Sequence, residues 1–216
     1  MTKYLIINAD DFGMSKVFNE TILDLIEKNQ ICAVSVMVEG FAENQKKQFD
    51  RLIALSKNKK LDVGLHITFN TNDYAHQIDS QFKKFKSIFG FNPSHADVHK
   101  AHKFMDSLPY TAEFFRKTGI PLRNEGVALG GVKSTPTKAF FGSVISFDEI
   151  ETWIKTFKDG EYYEILFHPG KYDPDSKSKL NKERERDVKY IIELNSILKK
   201  NNIKSVSHLD IASANV

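Results

Sequence analysis

The sequence predicts an α/β protein built on parallel strands, and three observations support this. Strand-like and helix-like segments alternate nearly from end to end, giving about seven β/α units of roughly 30 residues each. No Pro/Gly/Ser-rich linker or composition shift interrupts the chain, so residues 1–216 are expected to form one domain. Acids and histidines cluster where the apolar runs end, and such ends are where parallel α/β folds gather their chemistry.

The first strand is read from Tyr4-Leu5-Ile6-Ile7, leading into Asn8-Ala9-Asp10-Asp11-Phe12-Gly13. Phe18, Ile22, Leu25 and Ile26 then share a helical face, with Ser15 as N-cap. Ile31 to Val38 is β-branched and apolar, a second buried strand, and Ala42 to Lys57 reads as a helix. Leu61 to Thr68 is a third strand. An amphipathic segment around Phe82, Phe85 and Ile88 leads to a short run ending near His99. Pro109 to Lys117 is helical, Ile120 to Arg123 a brief strand, and Gly130 to Ser146 an irregular active-site-type loop or hairpin. Asp148 to Phe157 is a helix before the strand Tyr163 to Phe167, which runs into His168-Pro169-Gly170. A long helix from Leu180 to Lys200 should face inward with Val188, Ile191, Ile192, Asn195 and Leu198. A short strand near Ser205 to Ser207 completes the series. Buried strands between amphipathic helices fit either an open, doubly wound sheet or a closed barrel.

Composition narrows the class. The chain is 41% hydrophobic and 27% charged, with a net charge of +3, and carries no basic block interleaved with aromatics to suggest nucleic acid. A lone Cys32 rules out an internal disulfide and a Cys-rich zinc cluster. No apolar run reaches the ~18 residues of a membrane span. The N-terminus enters a strand at once without signal-peptide features, so a cytoplasmic location is the expectation.

Adjacent ionised carboxylates at a strand end repel, and each needs a cation, a proton or water. Asp10 and Asp11 therefore mark a metal site or a proton-handling site. His66, His99 and His168 also close strand-like runs, and the architecture would bring all five residues to one rim. His95, Asp97 and His99 alternate onto one side of a strand, which lets Asp97 orient a histidine. His76 reads as surface, and the charged run Lys177 to Lys189 reads as a solvated helix face without function.

With these residues in view, the chain resembles the YdjC-like carbohydrate deacetylases, which remove acetyl groups from N-acetylated sugars such as chitooligosaccharides. The resemblance spans nearly the whole chain. It rests on Leu5 to Ser15, on Gly64-Leu65-His66, and on Pro93-Ser94-His95-Ala96-Asp97-Val98-His99. Arg123, Ala139-Phe140-Phe141-Gly142 and Phe167-His168-Pro169 follow in order. Departures are Ala101 and Lys103, where further histidines are common, with His102 out of phase, and His208, where an aromatic is typical. The segment between His66 and His99 is also shorter than usual.

The resemblance implies a distorted (β/α) barrel and a hydrolase of sugar amides. It implies one divalent metal ion, zinc or magnesium, on Asp11, His66 and His99. It further implies Asp10 as general base, His168 across the rim as general acid, and Arg123 tuning Asp10. The implied partner is a small carbohydrate; related barrels often associate, so a homo-oligomer is compatible. The alternatives are another metal-dependent amidase or phosphoesterase on a β/α barrel, which would use the same triad, and a non-catalytic carbohydrate-binding protein of the same fold with a degenerate site. Intact Asp10, Asp11, His66, His99 and His168 count against the latter.

Overall fold

The structure is a computed structural model describing residues 2–58 and 61–213. Seven strands form one parallel sheet: β1 (Lys3–Phe12), β2 (Ala33–Val36), β3 (Asp62–Ile67), β4 (Ala96–Val98), β5 (Phe140–Phe141), β6 (Tyr162–Phe167) and β7 (Ile203–Ser205). The order is β4-β3-β2-β1-β6-β5, with β7 paired to the start of β1. The sheet curls into a distorted (β/α) barrel, as expected. Helices α1 (Lys16–Glu27), α2 (Lys46–Asn58), α3 (Tyr74–Phe89), α4 (Leu108–Thr118), α5 (Phe147–Lys155), α6 (Arg184–Leu198) and α7 (His208–Ser213) complete the units. Ser15 caps α1 by accepting the Val17 amide, as its residue type predicts.

The period-two alternation of the strands separates two interiors. Leu5, Ile7 and Ala9 of β1 join Val34, Val36, Leu65, Ile67, Ile165 and Phe167 in the large core that the helices cover. On the opposite face Ile6 forms a small apolar floor with Ala33, Val206 and Ile211. Above that floor the same face turns polar: Asn8 and Asp10 of β1 meet Ser35 of β2, Asp97 of β4 and, through Arg123, Glu164 of β6. Gly64 of β3 is needed here, because a Cβ would come 2.3 Å from the His95 ring. His95 in turn stacks on His208, centroids 3.8 Å apart.

Four expectations change. Ile120 to Arg123 is no strand; a single parallel bridge joins Leu122 to Ala96, and Pro121, lacking an N–H, can only accept there. α6 begins at Arg184 rather than Leu180, because Asn181 bonds the Asp173 backbone through both ends of its amide and holds a turn. Ile192 is 51% exposed and Leu194 fills the inward position instead. The last strand spans Ile203–Ser205, two residues earlier than read. Among the described residues no helix is long and apolar enough to cross a membrane.

Candidate active site

A regular strand would turn Asp11 away from Asp10. The register of β1 against β2 instead shifts between Ala9 and Phe12, and Asp11 adopts φ 70. This irregularity re-aims the side chain, and aspartate tolerates the left-handed region better than most residues. Both carboxylates consequently belong to the same rim.

Asp11, His66 and His99 converge. Asp11 Oδ1 lies 3.4 Å from His66 Nε2 and 3.4 Å from His99 Nδ1, and those nitrogens are 3.2 Å apart. Donors on a tetrahedral ion with bonds of about 2.0–2.1 Å sit about 3.4 Å from one another, so the triangle has the size of an ion's donor set. Asp11 Oδ1 is buried and has no hydrogen-bond partner. His66 Nδ1 is bonded to Asp97, which leaves Nε2 toward the cluster. Asp97 thus orients a histidine, His66 on the neighbouring strand.

The charge count agrees. Buried Asp10, Asp11, Asp97 and Glu164 face the buried guanidiniums of Arg123 and Arg184, which leaves a deficit of two positive charges. One divalent ion supplies that charge. With a proton in its place, burial would depress His66, yet the charges of Asp97 and Asp10, the nearby Asp11 carboxylate and the bond to Asp97 outweigh it and raise the imidazole to about 10. Burial alone would raise Asp11; His168, the His66 and His99 rings 3.4 Å away, and Arg184 outweigh it and hold the carboxyl well below its ordinary range. The residues present fit a divalent metal ion.

Asp10 is clamped. Arg123 donates to both of its oxygens at 2.8 Å, and Asn8 donates to Oδ1 at 2.6 Å. The same guanidinium donates to Glu164 at 2.7 Å and lies 3.3 Å from Asp97. His168 Nε2 is 4.0 Å from Asp10 Oδ2. His168 is not across the rim, because β6 pairs directly with β1, Ala9 beside Phe167. Phe141 meets its ring edge-on at 5.3 Å.

The charged run Lys177 to Lys189 contains two site residues, contrary to its reading as a solvated face. Arg184 is fully buried; it donates to Asp11 Oδ2 at 2.6 Å, to the His168 carbonyl at 3.3 Å and to Ser178 at 3.1 Å, and lies over the Phe18 ring. Gly170 makes room for it, since a Cβ there would meet Phe18 at 2.7 Å. Asp187, also fully buried, accepts the His168 amide at 2.9 Å. His76 and His102 are exposed and His95 lies beneath the site, so none joins the cluster.

The family model described as "YdjC-like protein" matches residues 4–76 and 70–198, most of the chain. The chain belongs to the YdjC-like family. Among curated relatives, a chitooligosaccharide deacetylase of Klebsiella pneumoniae subsp. pneumoniae is 25% identical to this YdjC-like chain over 80% of it and 84% of the relative. Another from Enterobacter sp. (strain 638) is 26% identical over the same shares. Among solved structures, a protein from Enterococcus faecalis V583 proposed to cleave cellobiose phosphate superposes with a TM-score of 0.78 at 18% identity, covering 98% of this chain and 99% of that one. A family 4 acetyl xylan esterase from Clostridium thermocellum, solved with a cobalt ion, gives 0.57 at 13% identity, covering 97% and 90%. These likenesses establish the shared fold.

Proposed function

We propose that this YdjC-like chain, acting as one domain over residues 1–216, is a metal-dependent deacetylase that hydrolyses the acetamide of an N-acetylated sugar. The observation that carries the reading is the division of the Asp10–Asp11 doublet. Asp11 turns its unpartnered oxygen toward two histidine nitrogens, while Asp10 is held apart on Arg123. The names of the curated relatives support the substrate class.

Asp11, His66 and His99 would hold the ion. Two imidazoles and a carboxylate suit zinc or another transition ion better than magnesium, which prefers oxygen donors. When bound, such an ion polarises the acyl carbonyl and acidifies the attacking water. Asp10 takes the proton from that water through Oδ2, which accepts one bond, from Arg123, and keeps a lone pair. Oδ1 already accepts from both Arg123 and Asn8. Arg123 keeps the Asp10 plane fixed and neutralises part of its charge. His168, 4.0 Å from Asp10, delivers a proton to the departing sugar amine as the C–N bond breaks. A cytoplasmic location and a small soluble sugar as partner complete the reading.

The test is acetate release from a panel of N-acetylglucosamine mono- and oligosaccharides by metal-loaded protein, with phosphate esters as the competing substrate class. Acetate release that is abolished by chelation supports the proposal. Turnover of phosphate esters alone replaces it with a phosphoesterase.

A further inference from the structure

Ser143, His168 and Asp187 are the residue types of a serine-hydrolase triad, but their order in space differs. In a nucleophilic triad the imidazole stands between the hydroxyl and the carboxylate. Here Ser143 Oγ lies 2.9 Å from His168 Nδ1 and within hydrogen-bonding reach of Asp187 Oδ2, so the hydroxyl stands in the middle. It is also 1% exposed, which removes it as a nucleophile toward a sugar.

The donors can be assigned. Asp187 Oδ2 accepts the His168 backbone N–H at 2.9 Å, and with Asp187 as a carboxylate it can only accept from Ser143 as well. Ser143 has one hydroxyl proton, and it goes to that carboxylate. Its oxygen accepts the His168 amide at 3.2 Å, and the remaining neighbour, Nδ1 at 2.9 Å, must then be a donor. The Ser143 carbonyl is bonded by Arg186, which ties the turn after β5 to the first turn of α6.

We propose that Ser143 is a positioning residue that couples Asp187 to His168 and fixes the neutral imidazole as its Nδ1–H tautomer, with the Nε2 lone pair toward Asp10. Protonation then places the second proton on Nε2, beside the site. When that proton passes to the amine nitrogen and the C–N bond breaks, the imidazole returns to the same tautomer without rotating. Its role as proton donor rests on the deacetylase reading above; the tautomer does not.

Nitrogen NMR of the histidine rings in folded, zinc-loaded protein tests this, with the His168 signals assigned by comparison with His168→Gln. The expected result is Nδ1–H in the neutral ring of the wild type. Ser143→Ala is expected to shift the population toward Nε2–H and to move the alkaline limb of the kcat/KM profile to lower pH. The accompanying loss in kcat/KM is roughly tenfold to a hundredfold. Ser143→Thr, which keeps the hydroxyl, is expected to restore tautomer and limb, and Asp187→Asn to mimic Ser143→Ala. A wild-type Nε2–H ring, or an unmoved tautomer in folded Ser143→Ala, overturns the relay. Absence of acetate release from every sugar overturns the deacetylase reading instead, and leaves the NMR result to decide the tautomer.

Discussion

Asp10 and Asp11 are neighbours in sequence, yet each meets a different guanidinium: Arg123 holds the first through two bonds, Arg184 the second through one. Their chemistry should therefore separate under mutation. Asp10→Asn is expected to retain stoichiometric metal by elemental analysis while acetate release falls by roughly 10²–10⁴, the usual contribution of a general base. An active, metal-loaded Asp10→Asn protein would remove Asp10 from that role. His66→Ala and His99→Ala are each expected to show the converse first step, a large fall in metal occupancy; full occupancy would strike that histidine from the ligand set. The doublet and the strand-end histidines were legible because unpaired polar groups after apolar runs need partners. Arg184 was not legible, because its partner lies 173 residues away and its own neighbours are all solvent-loving. Nor could spacing foretell that φ 70 at Asp11 would defeat strand alternation.

α6 shows how an element can carry function in its first turn. Arg184 and Asp187, one turn apart, point inward to Asp11 and His168, while Ile191, Leu194 and Leu198 further along anchor the helix in the core. The apolar period of this helix was readable in the sequence at Ile191 and Leu198, though Leu194 rather than Ile192 faces inward. Its phase at the charged end was not, since a buried arginine breaks the rule that charge faces water. Arg184→Met should expose the cost: Asp11 Oδ2 and the His168 carbonyl lose a buried cationic donor. A destabilisation of about 3–5 kcal/mol is expected in denaturant titrations of metal-free protein. A loss below about 1 kcal/mol would mean that Asp11 is satisfied without the guanidinium. The strands were legible for a different reason. Their helix-facing sides alone supply enough Val, Ile, Leu and Phe to mark them, which hid the polar character of the opposite face.

For the whole molecule, the barrel interior makes stability depend on pH in two opposed ways. His66, raised to about 10, holds a proton in the metal-free fold that its unfolded form gives up near pH ~6.5. Its contribution is complete below about 6.5 and is lost progressively as pH rises through about 10. His95, His168 and His208 are lowered, chiefly by burial. Their unfolded forms take protons below about 6.5 that the fold refuses, so stability falls as pH drops through that value. Asp11 and Asp97, both lowered because surrounding positive groups outweigh burial, add a further loss only below about pH 4. The metal-free protein should therefore be most stable near pH ~6.5 and weaken on both sides. A divalent ion requires neutral His66 and takes the place of its proton. Tm measured from about pH 5 to 9 should decline above about 6.5 with chelator present, and hold level there with stoichiometric zinc, while the acid side remains common to both. Parallel curves across the alkaline range would show that no ion replaces the proton between Asp97 and Asp11.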